Sequence, residues 1–572
     1  MANPGRLADM DIRIDKRLVW TFSLLALFFF LLTVRLGYIQ VIEGDSYRRR
    51  AVERETDSIV LEDYSRGEIL DRNLQSLTGS HSANRLVVFP KLVDNLTEVS
   101  FGIASVVGVD AAEITEKISR GPARLPYPLT PEQSSAIASR GWKGVLVAPV
   151  SLRYGSRPLA SQVVGHLGRV RDLDEVGTLS KTIGRDYRLS DWVGRQGLEK
   201  YFEPVLKGDY PAGSVRLYKD AAGNVLGGLP LEVSAGVDPT RFNVVTTIDL
   251  AIQSKVEEIM DGHKVKGAVV VMSPSGDILA MAGRPSYNPD PLKIKDYVDG
   301  GKDDFLDQCT ALFQPGSIFK VVVAAAALEE GAVSENSMFF CGGREDKLIP
   351  CWHPGHGNLS FARAFADSCN PTFARIGLNI GADKIIEYAG RLGLNNQSIT
   401  GYPVPRDSRQ NLNLIAGKYN LVNSSVGQGP VLASPIQITA MMNTIINGGI
   451  YKQPRLVSEI SGAGGVKQAY PAGEGRRAIS RGTADRLLKL LGMVTSEGVG
   501  REAYVPGSGS AGKTGSAQLG DDMNAVNAWF SGFVPLRNPQ YVITVLVRDG
   551  ESGGKTAAPL FREMAEEILK LP

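Results

Sequence analysis

Three short patterns carry groups able to do covalent chemistry: Ser317-Ile318-Phe319-Lys320, Ser368-Cys369-Asn370 and Lys513-Thr514-Gly515. A serine hydroxyl is a weak nucleophile until a nearby base takes its proton, and a lysine whose charge burial disfavours can be that base. Each pattern is uninformative alone. S-x-x-K recurs at Ser510–Lys513 and Ser552–Lys555, and S-x-N recurs at Ser82–Asn84 and Ser334–Asn336. Context separates them. Ser317 follows Gln314-Pro315-Gly316, a turn signal, and precedes FKVVVAAAALEEGA, which is too apolar all round for a surface helix. Ser317 is therefore expected to open a buried helix, where unpaired N–H groups and the helix dipole favour developing negative charge. Lys320 falls one turn later on the same face. Ser552-Gly553-Gly554-Lys555 reads instead as a flexible glycine-rich loop.

The other two patterns have settings of their own. Lys513-Thr514-Gly515-Ser516 follows the Gly/Ser-rich PGSGSAG and precedes a strand candidate at 527–535. A lysine and a hydroxyl on one strand can grip a carboxylate, and glycine lets a substrate backbone approach closely. Ser368-Cys369-Asn370 sits between the helical stretch LSFARAFAD and Pro371, which predicts a helix terminus or loop.

The elements that must position these groups form a regular pattern after Gly236. Residues 244–260 read as a strand running into an amphipathic helix, and 267–283 as two strands around a Pro-Ser-Gly-Asp turn. Strands are expected at 527–535 and 540–549, and a closing helix from about Ala557 to Leu571. Helical material lies between. From Gly44 to Gly236 the pattern is mixed, with short strand-like runs such as RLVVFP and GVLVAPV.

Hydrophobic residues make up 43% of the chain and charged residues 22%, an ordinary balance for domains with real cores. A net charge of +2 offers no basic excess to cover phosphates, so no nucleic-acid partner is expected. The segment from Leu18 to Val34 carries no charge and continues past Arg35 to Ile42. That length crosses a hydrocarbon core with some tilt, with Arg35 snorkelling to an interface. A cleaved signal peptide has a shorter apolar core followed by a small-residue cleavage site, so a retained anchor is the reading here. Basic residues flank the segment on both sides, and charge does not orient it.

The order SIFK, SCN, KTG resembles the penicilloyl-serine transferases. RGEILDRN (66–73), GRQGLEKYFEPVLKG (194–208), TTIDLAIQ (246–253), SVGQGPVLASPIQI (425–438) and NAWFSGFVP (527–535) resemble the class B penicillin-binding proteins, membrane-anchored transpeptidases of bacterial wall synthesis. The resemblance implies a cytoplasmic tail (1–17), a transmembrane anchor (18–42), an elongated mixed α/β pedestal or dimerisation domain (43–236) and a transpeptidase domain (237–572). The last is an α/β (α+β type) fold with a mainly antiparallel five-stranded sheet covered by helices, plus an all-helical subdomain. It places the catalytic domain outside the cytoplasm.

By the same resemblance Ser317 is the acylated nucleophile and Lys320 its general base. Ser368 and Asn370 relay the proton and hold the substrate amide. Lys513, Thr514 and Ser516, with Gly515 between them, bind the terminal carboxylate of a D-Ala-D-Ala stem peptide. The backbone N–H groups of Ser317 and Ser516 form the oxyanion hole. Implied partners are the stem peptides, β-lactams as covalent inhibitors and a membrane-embedded glycosyltransferase. No cofactor and no metal are implied. A D,D-carboxypeptidase, a β-lactam-hydrolysing relative and a non-catalytic β-lactam sensor or scaffold are the competing functions. Two positions depart from the family pattern: Asn527, where His is frequent, and Gly498-Val499-Gly500, where a Thr-containing turn is common.

Cys341 and Cys351 bracket GGREDKLIP, and His353 and His356 follow. The spacing fits no usual zinc finger. A Cys341–Cys351 disulfide at the edge of the cleft is the expectation for an extracytoplasmic domain, with zinc the alternative. Cys369 reads as a small packing thiol or as a redox partner for one of the hairpin cysteines.

Overall fold

The computed structural model describes all residues except 1–15, 44–55, 212, 221–224, 227–230, 236–237, 299–301, 405–409 and 520–521. Most of the expected cytoplasmic tail, the basic residues Arg48, Arg49, Arg50 and Arg54, and the expected boundary at Gly236 lie outside the described residues. Helix α1 (Lys16–Val41) contains the one stretch among the described residues that is long and apolar enough to cross a membrane, Val19–Val41. None of it is buried against protein, so lipid is the solvent that suits it.

The chain divides into two compact units. One gathers residues 1–61, 83–150 and 213–236, and the other 62–82, 151–212 and 237–572. The first holds the strands Thr56–Val60, Gly213–Tyr218 and Glu232–Ala235 in one sheet. A second sheet, with the helices Leu96–Val107 and Ala111–Ser119, encloses a small core of Leu86, Val88, Ile103, Ile114 and Ile118.

The second unit carries the chemistry. Strand β1 (Asn243–Thr246) leads into α2 (Leu250–Gly262), whose first turn is capped by the Asp249 side chain accepting from Ala251 and Ile252 N–H. β2 (Gly267–Met272) and β3 (Ile278–Arg284) form a hairpin. Near the C-terminus follow β4 (Ala511–Leu519), β5 (Asp522–Val534), β6 (Tyr541–Gly550) and the helix Ala558–Ile568. The five-stranded sheet runs β3-β2-β6-β5-β4, antiparallel throughout. β1 does not join it. It pairs with Val457–Gly462 and Ile69–Leu70 in a four-stranded sheet.

Both faces of the five-stranded sheet are covered, which explains its near-continuous apolar strands. Val269, Val271, Phe530 and Val545 pack beneath α2 and the C-terminal helix. Trp529, Phe533, Val542 and Leu546 point the other way, into a larger core with the helices Lys320–Glu329 and Arg481–Ser496. β4 is the edge strand of this sheet, the position at which an extended peptide can add to it.

Candidate active site

Ser317 lies in a 3-10 turn (Gly316–Phe319) that runs directly into the buried helix Lys320–Glu329. Gly316 has φ of 55°, and a Cβ there would stand 2.8 Å from Ser516 O and 2.9 Å from Ser516 N. Only glycine lets this turn press against the edge strand, and that contact sets Ser317 beside the KTG motif. The loop 425–430 supports the turn from the other side: Gly316 N–H donates to Gly427 O, and Gln314 Nε2 to Gly429 O. Trp529 Nε1 donates to Gln314 O, fixing the approach from the sheet side.

The second motif joins two helices. Phe361–Ala366 ends with Ser368 at φ 54°, where Ser368 N–H bonds Phe365 O and Cys369 N–H bonds Ala364 O. This is a left-handed helix cap in which serine occupies the place glycine usually takes. The conformation costs about 1–2 kcal/mol for a residue with a Cβ. Cys369 then caps the N-terminus of Asn370–Ile380. The result is a serine aimed into the site from a tight corner between helices.

Lys320, Ser368, Asn370 and Lys513 converge. Lys320 Nζ donates to Ser368 O at 2.7 Å and to Asn370 Oδ1 at 2.7 Å, and lies 3.2 Å from Ser368 Oγ. Lys513 Nζ lies 3.0 Å from the same Ser368 Oγ. Neither lysine side chain is exposed to solvent. Burial lowers the Lys320 pKa to about 7, against a smaller opposing pull from Cys369 and Cys351. Burial also pushes Lys513 well below the usual lysine range, with the Lys320 charge acting in the same direction. A neutral Lys320 has two N–H bonds, which match its two acceptor oxygens at 2.7 Å and leave a lone pair for a hydroxyl proton.

Thr514 and Ser516, two residues apart, share a face of β4. Thr514 is nearly buried, while Ser516 is exposed and accepts a hydrogen bond from Gly553 N–H at 3.0 Å. Ser552–Lys555, read from sequence as a flexible loop, is instead a tight helical turn. Gly553 is buried there so closely that a Cβ would stand 2.4 Å from Gly515 O and from Trp529 O. The glycines serve packing under the KTG strand rather than mobility. Val499, in the departing Gly498-Val499-Gly500 segment, bonds Ala366 O through its N–H and braces the helix before Ser368.

The expected disulfide is not formed: all four cysteines are free and buried. Cys341, Cys351, Cys369 and the partly buried His356 bring their ligand atoms within 4.8 Å of one another. The sequence reading found the first two cysteines and the histidine pair, and linked Cys369 to them only through the alternative of a redox pair with a hairpin cysteine, not as a fourth member of one group. The buried ions Arg66, Arg153, Glu199 and Glu203 were missed altogether. Arg66 Nε and Arg153 Nη2 contact Glu199 at 3.0 and 2.7 Å, and Arg66 Nη2 contacts Glu203 at 2.8 Å. Their one sequence signal was the pair of charged segments RGEILDRN and GLEKYFEP, which hold three of the four.

Residues 267–566 match the model of the penicillin binding protein transpeptidase domain, and 62–235 that of the penicillin-binding protein dimerisation domain. The stage V sporulation protein D of Bacillus subtilis is 28% identical, over 99% of this chain and 86% of its own. The peptidoglycan D,D-transpeptidase MrdA of Haemophilus influenzae is 25% identical, over 93% of this chain and 88% of its own. A solved structure described as the structural coordination of polymerization and crosslinking by a peptidoglycan synthase complex shares the fold, with a TM-score of 0.70 and 23% identity, covering 97% of this chain and 99% of that one.

Proposed function

Because the chain belongs to the penicillin-binding protein transpeptidase family and is a peptidoglycan D,D-transpeptidase, we propose that Ser317 is the residue it acylates and that Lys320, Ser368, Asn370 and Lys513 move the protons. The observation that carries this assignment is the Ser368 hydroxyl, held between the buried amines of Lys513 and of Lys320, which follows Ser317 by one helical turn. Neutral Lys320 takes the Ser317 proton as Oγ attacks the carbonyl of the penultimate D-Ala. Ser368, between the two amines, passes a proton to the leaving D-Ala nitrogen. Asn370, fixed by Lys320 and by Pro350 O, presents its amide to the donor peptide.

The donor strand lies along the edge of β4, with its terminal carboxylate at Lys513, Thr514, Gly515 and Ser516. The N–H groups of Ser317 and Ser516, set together by the Gly316 contact, receive the developing oxyanion. Each such donor is worth about 3 kcal/mol in comparable enzymes. The acyl-enzyme is then released to the amine of a neighbouring stem peptide, while a β-lactam leaves Ser317 blocked. No resident cofactor enters this scheme.

The segment 18–42 anchors the chain in this reading, 1–17 is cytoplasmic, and 43–236 stands outside as pedestal to the catalytic domain 237–572. The relative named for polymerization and crosslinking supports a membrane-embedded glycosyltransferase as partner. The test uses full-length protein with donor and acceptor stem peptides and a labelled penicillin. Cross-linked product and labelling are expected from the native chain and neither from Ser317→Ala. Labelled Ser317→Ala would refute the nucleophile, and hydrolysed donor alone would turn the reading to a carboxypeptidase.

A further inference from the structure

Three thiols and an imidazole converge behind the second motif, and acyl transfer uses none of them. Cys341 ends the strand Met338–Cys341, Cys351 and His356 lie in the loop before its partner strand Gly357–Ser360, and Cys369 caps the helix Asn370–Ile380. All three sulfurs are buried, at 3% exposure or less. A tetrahedral ion bound at about 2.3 Å to sulfur and about 2.0 Å to nitrogen sets edges of about 3.8 Å between sulfurs and about 3.5 Å between sulfur and nitrogen. His356 Nδ1 lies 3.4 Å from Cys341 Sγ and 3.7 Å from Cys351 Sγ, and no pair of the four ligand atoms is further apart than 4.8 Å.

The surrounding backbone holds this arrangement in advance. Cys351 N–H donates to Gly343 O, and a Cβ on Gly343 would collide with Pro354 O at 1.6 Å. Asp346 ties the loop together by accepting from Gly342 and Leu348 N–H, and pairs with Arg375 at 2.9 Å. His353 lies outside the group: its Nδ1 accepts from Gly355 N–H and its ring stacks on His356 at 4.3 Å. Simple thiol packing leaves the imidazole unexplained. A disulfide would consume two of the three sulfurs and leave the third, with the imidazole, unaccounted for.

We propose that Cys341, Cys351, Cys369 and His356 form a structural zinc site that pins the hairpin loop to the corner between helices that bears Ser368 and Asn370. Soft thiolates with one imidazole in a closed tetrahedron suit zinc, which brings no redox chemistry of its own. On binding, each thiol gives its proton to solvent and three sulfur–zinc bonds and one nitrogen–zinc bond form, a site of net charge −1. The link to catalysis is short: Asn370 Nδ2 donates to Pro350 O, next to Cys351, and Cys369 lies between Ser368 and Asn370.

The test uses the full-length protein purified in detergent without chelator. Elemental analysis is expected to find about one zinc per chain. Cobalt exchanged for it is expected to show sulfur-to-cobalt charge-transfer bands and intense tetrahedral d–d bands, a readout that needs no variant. Cys351→Ser and His356→Ala should each lose most of the zinc, while Cys309→Ser, whose thiol lies outside the group, should keep it. Metal-free native protein that also gives no such cobalt spectrum would overturn the proposal. So would a different metal at one per chain, a disulfide between any two of the three cysteines in non-reduced peptides, or full zinc content in the Cys351 and His356 variants.

Discussion

The Lys513 amine and the Ser368 hydroxyl, 145 residues apart in sequence, meet at 3.0 Å at the foot of the edge strand. Lys320 approaches the same oxygen at 3.2 Å, so the three groups act as one unit. Groups that act as a unit give strongly non-additive losses. Ser368→Ala and Lys513→Ala are each expected to slow acylation by a penicillin by about 10²–10⁴-fold. The double variant should be little slower than the worse single one. Rate constants from stopped-flow acylation check this, and losses that multiply would show that the two groups act separately.

The pH dependence follows from Lys320. Its folded pKa is about 7 because burial disfavours the ammonium form. Below that value the amine is protonated and cannot accept the Ser317 proton. The second-order acylation rate should therefore rise about tenfold per pH unit up to about pH 7 and level off above it. Lys513 across Ser368 and the cysteine pair Cys351 and Cys369 are the other titratable groups facing Lys320. Lys320→Arg, which stays protonated throughout, should be inactive at every pH. A profile flat between about pH 5.5 and 8.5 would remove Lys320 as the base.

Local order was legible in the sequence, and long-range partnership was not. The alternating or fully apolar runs at 267–283, 527–535 and 540–549 announced their strands, and Pro-Gly before Ser317 announced the buried helix. Periodicity says nothing about which strands pair. That β2 sits between β3 and β6, and that β1 leaves for another sheet, depends on contacts across most of the chain. The three motifs were found through their order, yet the corner at Ser368, a left-handed serine, has no sequence signature. The cysteine group was half visible: nearness in sequence gave Cys341, Cys351, His353 and His356 without choosing between the histidines, while Cys369 arrives from a separate helix start and was linked to the hairpin only as a redox partner. Glu199 and its arginines stayed hidden because a buried charge looks like a surface one until its partners are placed.

Arg153 and Glu199 make the clearest stability prediction. Glu199 is fully buried and receives Arg153 through Nε at 2.8 Å and Nη2 at 2.7 Å, while Arg153 Nη1 also donates to Gly67 O at 2.8 Å. Removing Arg153 leaves a carboxylate oxygen buried without its cation, a loss of about 3–5 kcal/mol. Arg153→Ala should lower the thermal midpoint of the full chain by several degrees. Arg120→Ala, which removes an exposed pair with Glu116, should leave it unchanged. Equal midpoints for the two variants would mean that the buried cluster contributes nothing.

Gly427 tests whether the loop 425–430 sets the nucleophile. Its φ is 78°, and a Cβ there would lie 1.8 Å from Gly316 O, so alanine must displace the turn that carries Ser317. The left-handed conformation alone costs alanine about 1–2 kcal/mol, and the collision adds to it. Gly427→Ala should slow acylation by at least about tenfold, because small displacements of a reacting group cost that much or more. Gly464→Ala is the control: it sits in an open turn with nothing within 4 Å of the added methyl, and its backbone needs no left-handed conformation. Acylation kinetics on both variants separate the effects. A Gly427 variant that acylates at the native rate would show that the turn keeps its position without this loop, leaving the contact with Ser516 as what holds Ser317 in place.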